Sequence, residues 1–310
     1  MKQGKNIQRL EFHISYQCIN NCLFCSEREQ LDKFKGQFVE KEKIEKKLSQ
    51  FAKKGFNHVT FTGGEPTLHP NFIEILQSAK ELNYINYVTS NGNFFDSKRL
   101  CQKAAPYLNE ICLSIHGHNA RLHNFHTRNK KSFARLMKSM ENMQNSPRNI
   151  YGFANIVITK YNFDSLEKIV EFISRYPWIK QVLFSNLAPE GNALRNFKKL
   201  AVPLGKIENK INNLANLALK KSLNIRFFGL PLCLMGNHQP LSNDIHWSAR
   251  ATIEKWGDKK TYLKTTFSYQ PTRKRIKTIK CKNCQAKEIC GGIFKKYCHE
   301  FSDRELKPIQ

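Results

Sequence analysis

The chain has 310 residues, 40% of them hydrophobic, with 51 Lys and Arg against 25 Asp and Glu for a formal charge of +26. That apolar content is too high for a disordered chain, and the length suits an α/β barrel with an appendage. No run of about 18 apolar residues exists, which excludes a membrane-spanning helix, and the first five residues carry no apolar signal region.

A cytoplasmic location follows, and ten cysteines there point to metal or redox chemistry rather than disulfides. The charge implies an anionic partner: nucleic acid, an acidic peptide or an anionic cofactor. A composition rich in Lys, Asn and Phe accounts for part of it, but such a bias would also enrich Glu, which is not abundant.

In chain order, Leu10, Phe12 and Ile14 alternate as a first strand. Ile44, Leu48, Phe51 and Ala52 fall at helical spacing, with Gly55 as a stop. Residues 58–62 read as a second strand, followed by a helix carrying Phe72, Ile75, Leu76 and Ala79. Residues 85–89 and 111–115 make strands three and four, and Phe133, Leu136, Met137 and Met140 the next helical stripe. Residues 156–158 lie in a fifth strand, Asp164 is placed to cap the helix of Leu166, Ile169, Val170 and Ile173, and 182–184 form a sixth.

Six strand–helix units predict an α/β fold, a partial (β/α)6 TIM-like barrel with its site at the C-terminal strand ends. The pattern loosens after about residue 195, where a long helix carries Ile207, Ile211, Leu214 and Leu217, and beyond Pro231 the chain is loop-rich and holds half the cysteines. The expected division is therefore 1–195 for the barrel and 196–310 for a smaller Cys-rich domain.

Three thiols, Cys18, Cys22 and Cys25, lie within eight residues after the first strand. Three thiolates suffice for three irons of a cubane cluster and leave the fourth iron open, whereas structural zinc wants paired cysteines. After strand two comes Thr62-Gly63-Gly64-Glu65-Pro66-Thr67, whose glycines allow a ligand close to the backbone and whose Glu65 offers an acceptor to an ammonium group. Thr89-Ser90-Asn91-Gly92 ends strand three and reads alone as a plain turn.

Taken together, the Cys-x3-Cys-x2-Cys spacing, Phe24 before the last cysteine, and Gly63-Gly64-Glu65-Pro66 resemble the radical S-adenosylmethionine (radical SAM) superfamily over residues 8–195. The resemblance implies a [4Fe–4S] cluster on Cys18, Cys22 and Cys25, with S-adenosylmethionine chelated at the open iron. It places Gly63, Gly64 and Glu65, with Pro66, at the methionyl amine, Ser90 and Asn91 at the carboxylate or ribose, and Phe24 near the adenine. Reductive cleavage then yields methionine and a 5′-deoxyadenosyl radical that abstracts hydrogen from a substrate held in a dry cavity. A reductant such as flavodoxin or ferredoxin is implied.

Four histidines, His116, His118, His123 and His126, fall in eleven residues at a spacing that suits a zinc site poorly. Ser114 and His116 are expected to point into the barrel toward cofactor or substrate, with the other histidines solvated on the loop that follows. Asn155 reads equally as a cofactor contact and as a satisfied polar group of the barrel. Cys101 and Cys112 are expected as buried apolar thiols.

At the C-terminus, Cys281-x2-Cys284-x5-Cys290 with Cys233 upstream resembles the auxiliary-cluster (SPASM or twitch) extensions of radical SAM maturases. One auxiliary [4Fe–4S] cluster on these four cysteines is implied, with Cys298 a substitute ligand or a free thiol; a zinc ribbon on the same cysteines is the alternative. Position 293, a cysteine in many such proteins, is Ile293 here. The basic run Arg273, Lys274, Arg275, Lys277, Lys280 and Lys282 reads as a solvated segment or as a strip for RNA or an acidic leader peptide.

The leading expectation is modification of a peptide or protein. RNA or a small molecule is the alternative, and a zinc- or iron–sulfur-binding protein the non-enzymatic one. With the first strand starting within about ten residues of Met1, no leader-gripping winged-helix domain is expected before it.

Overall fold

The computed structural model describes residues 8–146, 148–258 and 260–310. The five N-terminal residues read above for a signal region lie outside the described residues. Strands and helices alternate: β1 Arg9–Ser15, α1 Arg28–Lys33, α2 Lys41–Ala52, β2 His58–Gly63, α3 Phe72–Glu81, β3 Ile85–Ser90, α4 Lys98–Ala104, β4 Glu110–Ser114. There follow α5 Ala120–Thr127, α6 Ser132–Gln144, β5 Tyr151–Val157, α7 Leu166–Ile173, β6 Ile179–Ser185, α8 Gly191–Arg195, α9 Phe197–Leu200 and α10 Leu204–Lys220. The remainder is β7 Asn224–Phe228, β8 Arg250–Trp256, β9 Tyr262–Ser268, the short pair β10 Arg275–Ile276 and β11 Ile293–Phe294, and α11 Lys295–Phe301.

The main sheet has the order β7-β6-β5-β4-β3-β2-β1-β8-β9. Every neighbouring pair is parallel except β8 with β9. The six expected strands are present in order, as the partial barrel requires. The two halves expected to divide near residue 195 share this sheet: β7 extends one edge, and β8 and β9 extend the other.

The period of two along β1 sorts its side chains. Leu10, Phe12 and Ile14 are fully buried, and the first two stand in register with Val59 and Phe61 of β2 and with Ala251 and Ile253 of β8. Glu11, His13 and Ser15 take the opposite face. Helices cover the apolar face through stripes at i, i+3, i+4 and i+7, such as Phe72, Ile75, Leu76 and Ala79 of α3. Cys101 and Cys112 are buried, as expected. Asp164 does not cap α7: it sits in a preceding 3-10 turn, and the N-cap is Ser165, with no side-chain cap.

The basic run is not uniformly solvated. Arg275 is completely buried and forms a two-pronged pair with Asp244, at 2.7 and 2.9 Å. The Gly291 N–H donates to the same carboxylate at 3.1 Å, and a Cβ on Gly291 would stand 2.2 Å from the guanidinium carbon. Asp244→Ala leaves a buried, unpaired guanidinium and is expected to cost about 3–5 kcal/mol. Lys282→Ala, on the exposed side of the run, is expected to shift stability by less than about 0.5 kcal/mol. Denaturant unfolding of the two variants checks the contrast.

Candidate functional site

The loop between β1 and α1 brings Cys18, Cys22 and Cys25 onto one wall of a cavity of about 290 Å³ at the C-terminal strand ends. Phe24, Gly63, Gly64, Ser90, Asn91, Ser114, His116 and Asn155 line the same cavity. The loop is irregular, so its backbone groups need partners from elsewhere. Asn21 and Leu23 donate their N–H groups to the carbonyls of Thr127 and His126 at the end of α5, at 3.0 and 2.9 Å. From the segment after β6, the Asn192 N–H reaches the Cys25 carbonyl, Asn192 Nδ2 the Cys22 carbonyl and Asn196 Nδ2 the Leu23 carbonyl, each at 2.9 Å.

Gly63 and Gly64 are required by close approach. The β1–β2 register slips between His13 and Ser15. There the Gly64 N–H donates to the Ser15 carbonyl at 2.7 Å and the Glu65 N–H to the Gln17 carbonyl at 2.8 Å. A Cβ on Gly63 would stand 2.4 Å from the Ser15 oxygen, and one on Gly64 2.4 Å from the Gln17 oxygen. The glycines thus seat the strand-two turn directly against the entry to the cysteine loop.

Glu65 and Pro66 are buried behind the cavity wall and do not line it. The Glu65 carboxylate accepts from Thr67 Oγ1 at 2.6 Å, Ser90 Oγ at 2.8 Å, the Asn91 N–H at 2.8 Å and the Thr67 N–H at 3.3 Å. Burial raises its pKa, against the pull of these donors. It joins the second and third motifs into one unit, and Asn91 Nδ2 in turn donates to Cys18 Sγ at 3.5 Å. Glu65→Gln sets an amide donor against this donor set and is expected to lower the unfolding free energy, measured by denaturant titration, by about 1–3 kcal/mol.

The three thiols share a poorly solvated wall. Burial, and then Glu65, pushes the Cys18 pKa up to about 11, and burial, and then Glu27, pushes Cys25 up to about 12. Cys22 rises well above the ordinary thiol range through burial and its two cysteine neighbours. Three such thiolates ionise together only when cationic metal offsets their charge, so the donor set suits a cluster. Among the described residues no three His, Cys, Asp or Glu side chains converge tightly enough for a single ion. In a cubane each thiolate binds its own iron.

Ser114 and His116 line the cavity as expected, but His123 and His126 are completely buried on α5 rather than solvated. The His116 N–H donates to His123 Nδ1 at 3.3 Å, and the His116 ring accepts the Val157 N–H at Nδ1, also at 3.3 Å. His126 bonds the Leu122 carbonyl at 2.8 Å and Thr159 Oγ1 at 2.7 Å. Phe24 packs edge-on against His116, with ring centres 4.5 Å apart. These neutral rings back the cysteine loop.

Burial, and then His126, lowers the His123 pKa to about 3; burial also lowers those of His116 and His126. Below about pH 6.5 the unfolded chain binds protons that the folded chain refuses. This contribution is whole above pH 6.5 and is lost as pH falls toward 3. Between about pH 7 and pH 5 the wild-type melting temperature is therefore expected to fall more steeply than that of His123→Asn.

A charged group in the same cavity escaped the sequence reading. His13 Nε2 lies 3.3 Å from Glu11, and His13 Nδ1 3.3 Å from Glu27. Burial would lower the His13 pKa, but Glu27 and Glu11 outweigh it and raise it to about 10. Arg273, from the C-terminal half, lines the cavity, pairs with Glu190 and lies 3.9 Å from Glu27. Glu11 and His13, two residues apart on one strand, were the available signal. Arg273 stood out only as part of the basic run, and nothing local placed it in this cavity.

Of the C-terminal cysteines, Cys281, Cys284 and Cys290 lie close enough to Cys233 to act on its charge. Burial, and then the charges of Cys290, Cys281 and Cys284, raise the Cys233 pKa to about 11, against a backbone N–H from Lys307. The Leu232 and Gly292 N–H groups donate to Cys290 Sγ at 3.4 and 3.3 Å, and the Ile309 N–H to Cys284 Sγ at 3.4 Å. Such N–H···S donors accompany metal-bound thiolates and tune their clusters. Cys298, on α11, is raised by burial and Asp303.

A family model described as the radical SAM superfamily matches residues 12–173. The chain is 24% identical over 209 residues to a probable GTP 3′,8-cyclase of Thermoplasma volcanium, covering 67% of this chain and 63% of that protein. It is 34% identical over 122 residues to an S-adenosylmethionine-dependent nucleotide dehydratase of Flammeovirga pacifica, covering 38% and 41%. The chain thus spans under two thirds of either relative's length. Among solved structures, SuiB of Streptococcus suis bound to S-adenosylmethionine superposes with a TM-score of 0.67 at 17% identity, over 96% of this chain and 75% of SuiB. With precursor peptide SuiA bound, SuiB gives 0.58 at 18% identity, over 76% and 51%.

Proposed function

Because the chain belongs to the radical SAM superfamily, whose members use S-adenosylmethionine and a [4Fe–4S] cluster, we propose that it is an enzyme abstracting hydrogen from a peptide or protein. The observation that carries this reading is the meeting of Cys18, Cys22 and Cys25 with Gly63, Gly64, Ser90 and Asn91 around one cavity. Once bound, a cluster and S-adenosylmethionine would supply one-electron reductive cleavage of the sulfonium, to methionine and a 5′-deoxyadenosyl radical able to take a hydrogen atom from a substrate C–H bond. The three thiolates hold the cluster. The Gly63 and Gly64 backbone, with Ser90 and Asn91, would receive the methionyl end of S-adenosylmethionine, and Phe24 would pack near its adenine. Ser114, His116 and Asn155 line the cofactor or substrate space. The Glu11–His13–Glu27–Arg273 group gives the cavity charged contacts for a polar substrate.

Cys233, Cys281, Cys284 and Cys290 fit an auxiliary [4Fe–4S] cluster of the SPASM or twitch kind, and the N–H donors on Cys284 and Cys290 support that reading. The 196–310 half would then accept the substrate electron or ligate the substrate. A flavodoxin or ferredoxin would supply the reducing electron. Cysteines committed to clusters rather than to disulfides suit a cytoplasmic location. The likeness in fold to a protein solved with its precursor peptide supports a peptide substrate. A nucleotide or RNA substrate is the second reading, favoured by the two relatives named for nucleotide chemistry and by the +26 charge.

Anaerobic reconstitution is expected to give about eight irons per chain, falling to about four in Cys281→Ala/Cys284→Ala. Dithionite with S-adenosylmethionine is expected to yield 5′-deoxyadenosine in the wild type and none in Cys22→Ala. Wild-type protein that carries its iron but forms no 5′-deoxyadenosine would overturn the enzymatic reading.

A further inference from the structure

At the end of the sheet, β9 pairs with β8 on one side and, among the described residues, with nothing on the other. Its register with β8 runs unbroken through seven pairs, from Arg250 with Ser268 to Trp256 with Tyr262. Proteins usually blunt such an edge with bulges, prolines or outward charges. β9 has no bulge and no proline, and its one charge, Lys264, lies 4.0 Å over the Trp256 ring. The edge is therefore open to another strand.

Near the start of this strand lies a groove of about 440 Å³, lined by α2 on one side and by Lys255 of β8 with Tyr262 and Leu263 of β9 on the other. Lys43, Lys46 and Lys47 fall at i, i+3 and i+4 on α2 and face Lys255 and Leu263 across it. The only carboxylate on the lining is Glu40, which pairs with Lys43. Lys46 and Lys47 have no ion-pair partner among the described residues. Lys255 stands opposite Leu263 in the sheet and donates to Gln37 Oε1 at 2.7 Å. Phe267 and Tyr269, stacked with centres 6.4 Å apart, stand exposed at the far end of the strand.

We propose that an acidic, extended peptide segment docks here, adding a strand to β9 while its carboxylates fall on Lys43, Lys46, Lys47 and Lys255. Main-chain hydrogen bonds supply affinity in this mode, and alternate side chains supply selection. The lysines favour an acidic partner, and they disfavour a second copy of this chain, whose own groove would bring like charge to the pairing. β9 lies two strands from β1, after which the cysteine loop begins. The proposal rests on the peptide reading above and adds to it a place of docking.

Binding of a short fluorescein-labelled peptide alternating Glu with Val, followed by anisotropy, tests it. Lys43→Glu/Lys46→Glu/Lys47→Glu is expected to weaken binding about tenfold or more. The same peptide with alternate backbone nitrogens methylated keeps its charge but cannot pair, and a comparable loss is expected. Hydrogen exchange of the β9 amides is expected to slow when the unmodified peptide is bound. Binding that ignores N-methylation, or that ignores the lysine reversal, would overturn the proposal. So would an RNA oligonucleotide that binds in the peptide's place and protects no β9 amide, or a dimer through β9 that persists with peptide present. Formation of 5′-deoxyadenosine by the wild-type chain reports separately on the enzymatic reading, so the two fail independently.

Discussion

The cysteine loop between β1 and α1 has almost no regular structure of its own, and its backbone is held by groups from three other parts of the sheet. The α5 terminus accepts the N–H groups of Asn21 and Leu23, the segment after β6 donates to the carbonyls of Cys22, Leu23 and Cys25, and the β2 turn closes on Ser15 and Gln17. A peptide group left unpaired there would cost about as much as a lost hydrogen bond. These partners are far apart in sequence and meet only because a parallel sheet delivers every strand's C-terminal end to the same side. The fold is thus the means by which three thiols are held in fixed positions beside a cavity.

The same dependence explains the glycines and the buried carboxylate. Gly63, Gly64 and Gly191 each stand where a Cβ would strike a carbonyl of this loop or of its entry from β1. Glu65, rather than facing the cavity, ties the β2 turn to the β3 turn by taking four donors. One carboxylate therefore sets the position of Asn91, which reaches Cys18. A rigid wall of this kind is what a reaction involving a primary-carbon radical requires, since a loosely held substrate or open water would divert it.

What was legible in the sequence was local. Strand alternation in Leu10, Phe12 and Ile14, helical stripes such as that of α3, and the short cysteine and glycine motifs carry their meaning within a few residues, and each appears where it was read. The missed features depend on partners distant in sequence. His123 and His126 looked like loop residues because nothing nearby shows that α5 turns them inward against Ser132 and Thr159. Arg275 looked solvated because its partner, Asp244, is 31 residues away. Arg273 reaches the cavity only because the C-terminal half folds back over Glu27 and Glu190. The strands β7, β8 and β9 were hidden in a region whose turns and cysteines drew attention from its short apolar alternation.

On the proposed reading, S-adenosylmethionine meets an open iron held by Cys18, Cys22 and Cys25. Low-temperature electron paramagnetic resonance of the reduced, iron-loaded chain tests it most directly, recorded before and after S-adenosylmethionine is added. Coordination at the open iron alters the electronic surroundings of that cluster, so the expected result is a changed signal on addition, with any signal from the C-terminal cluster unmoved. Identical spectra with and without S-adenosylmethionine would contradict the claim.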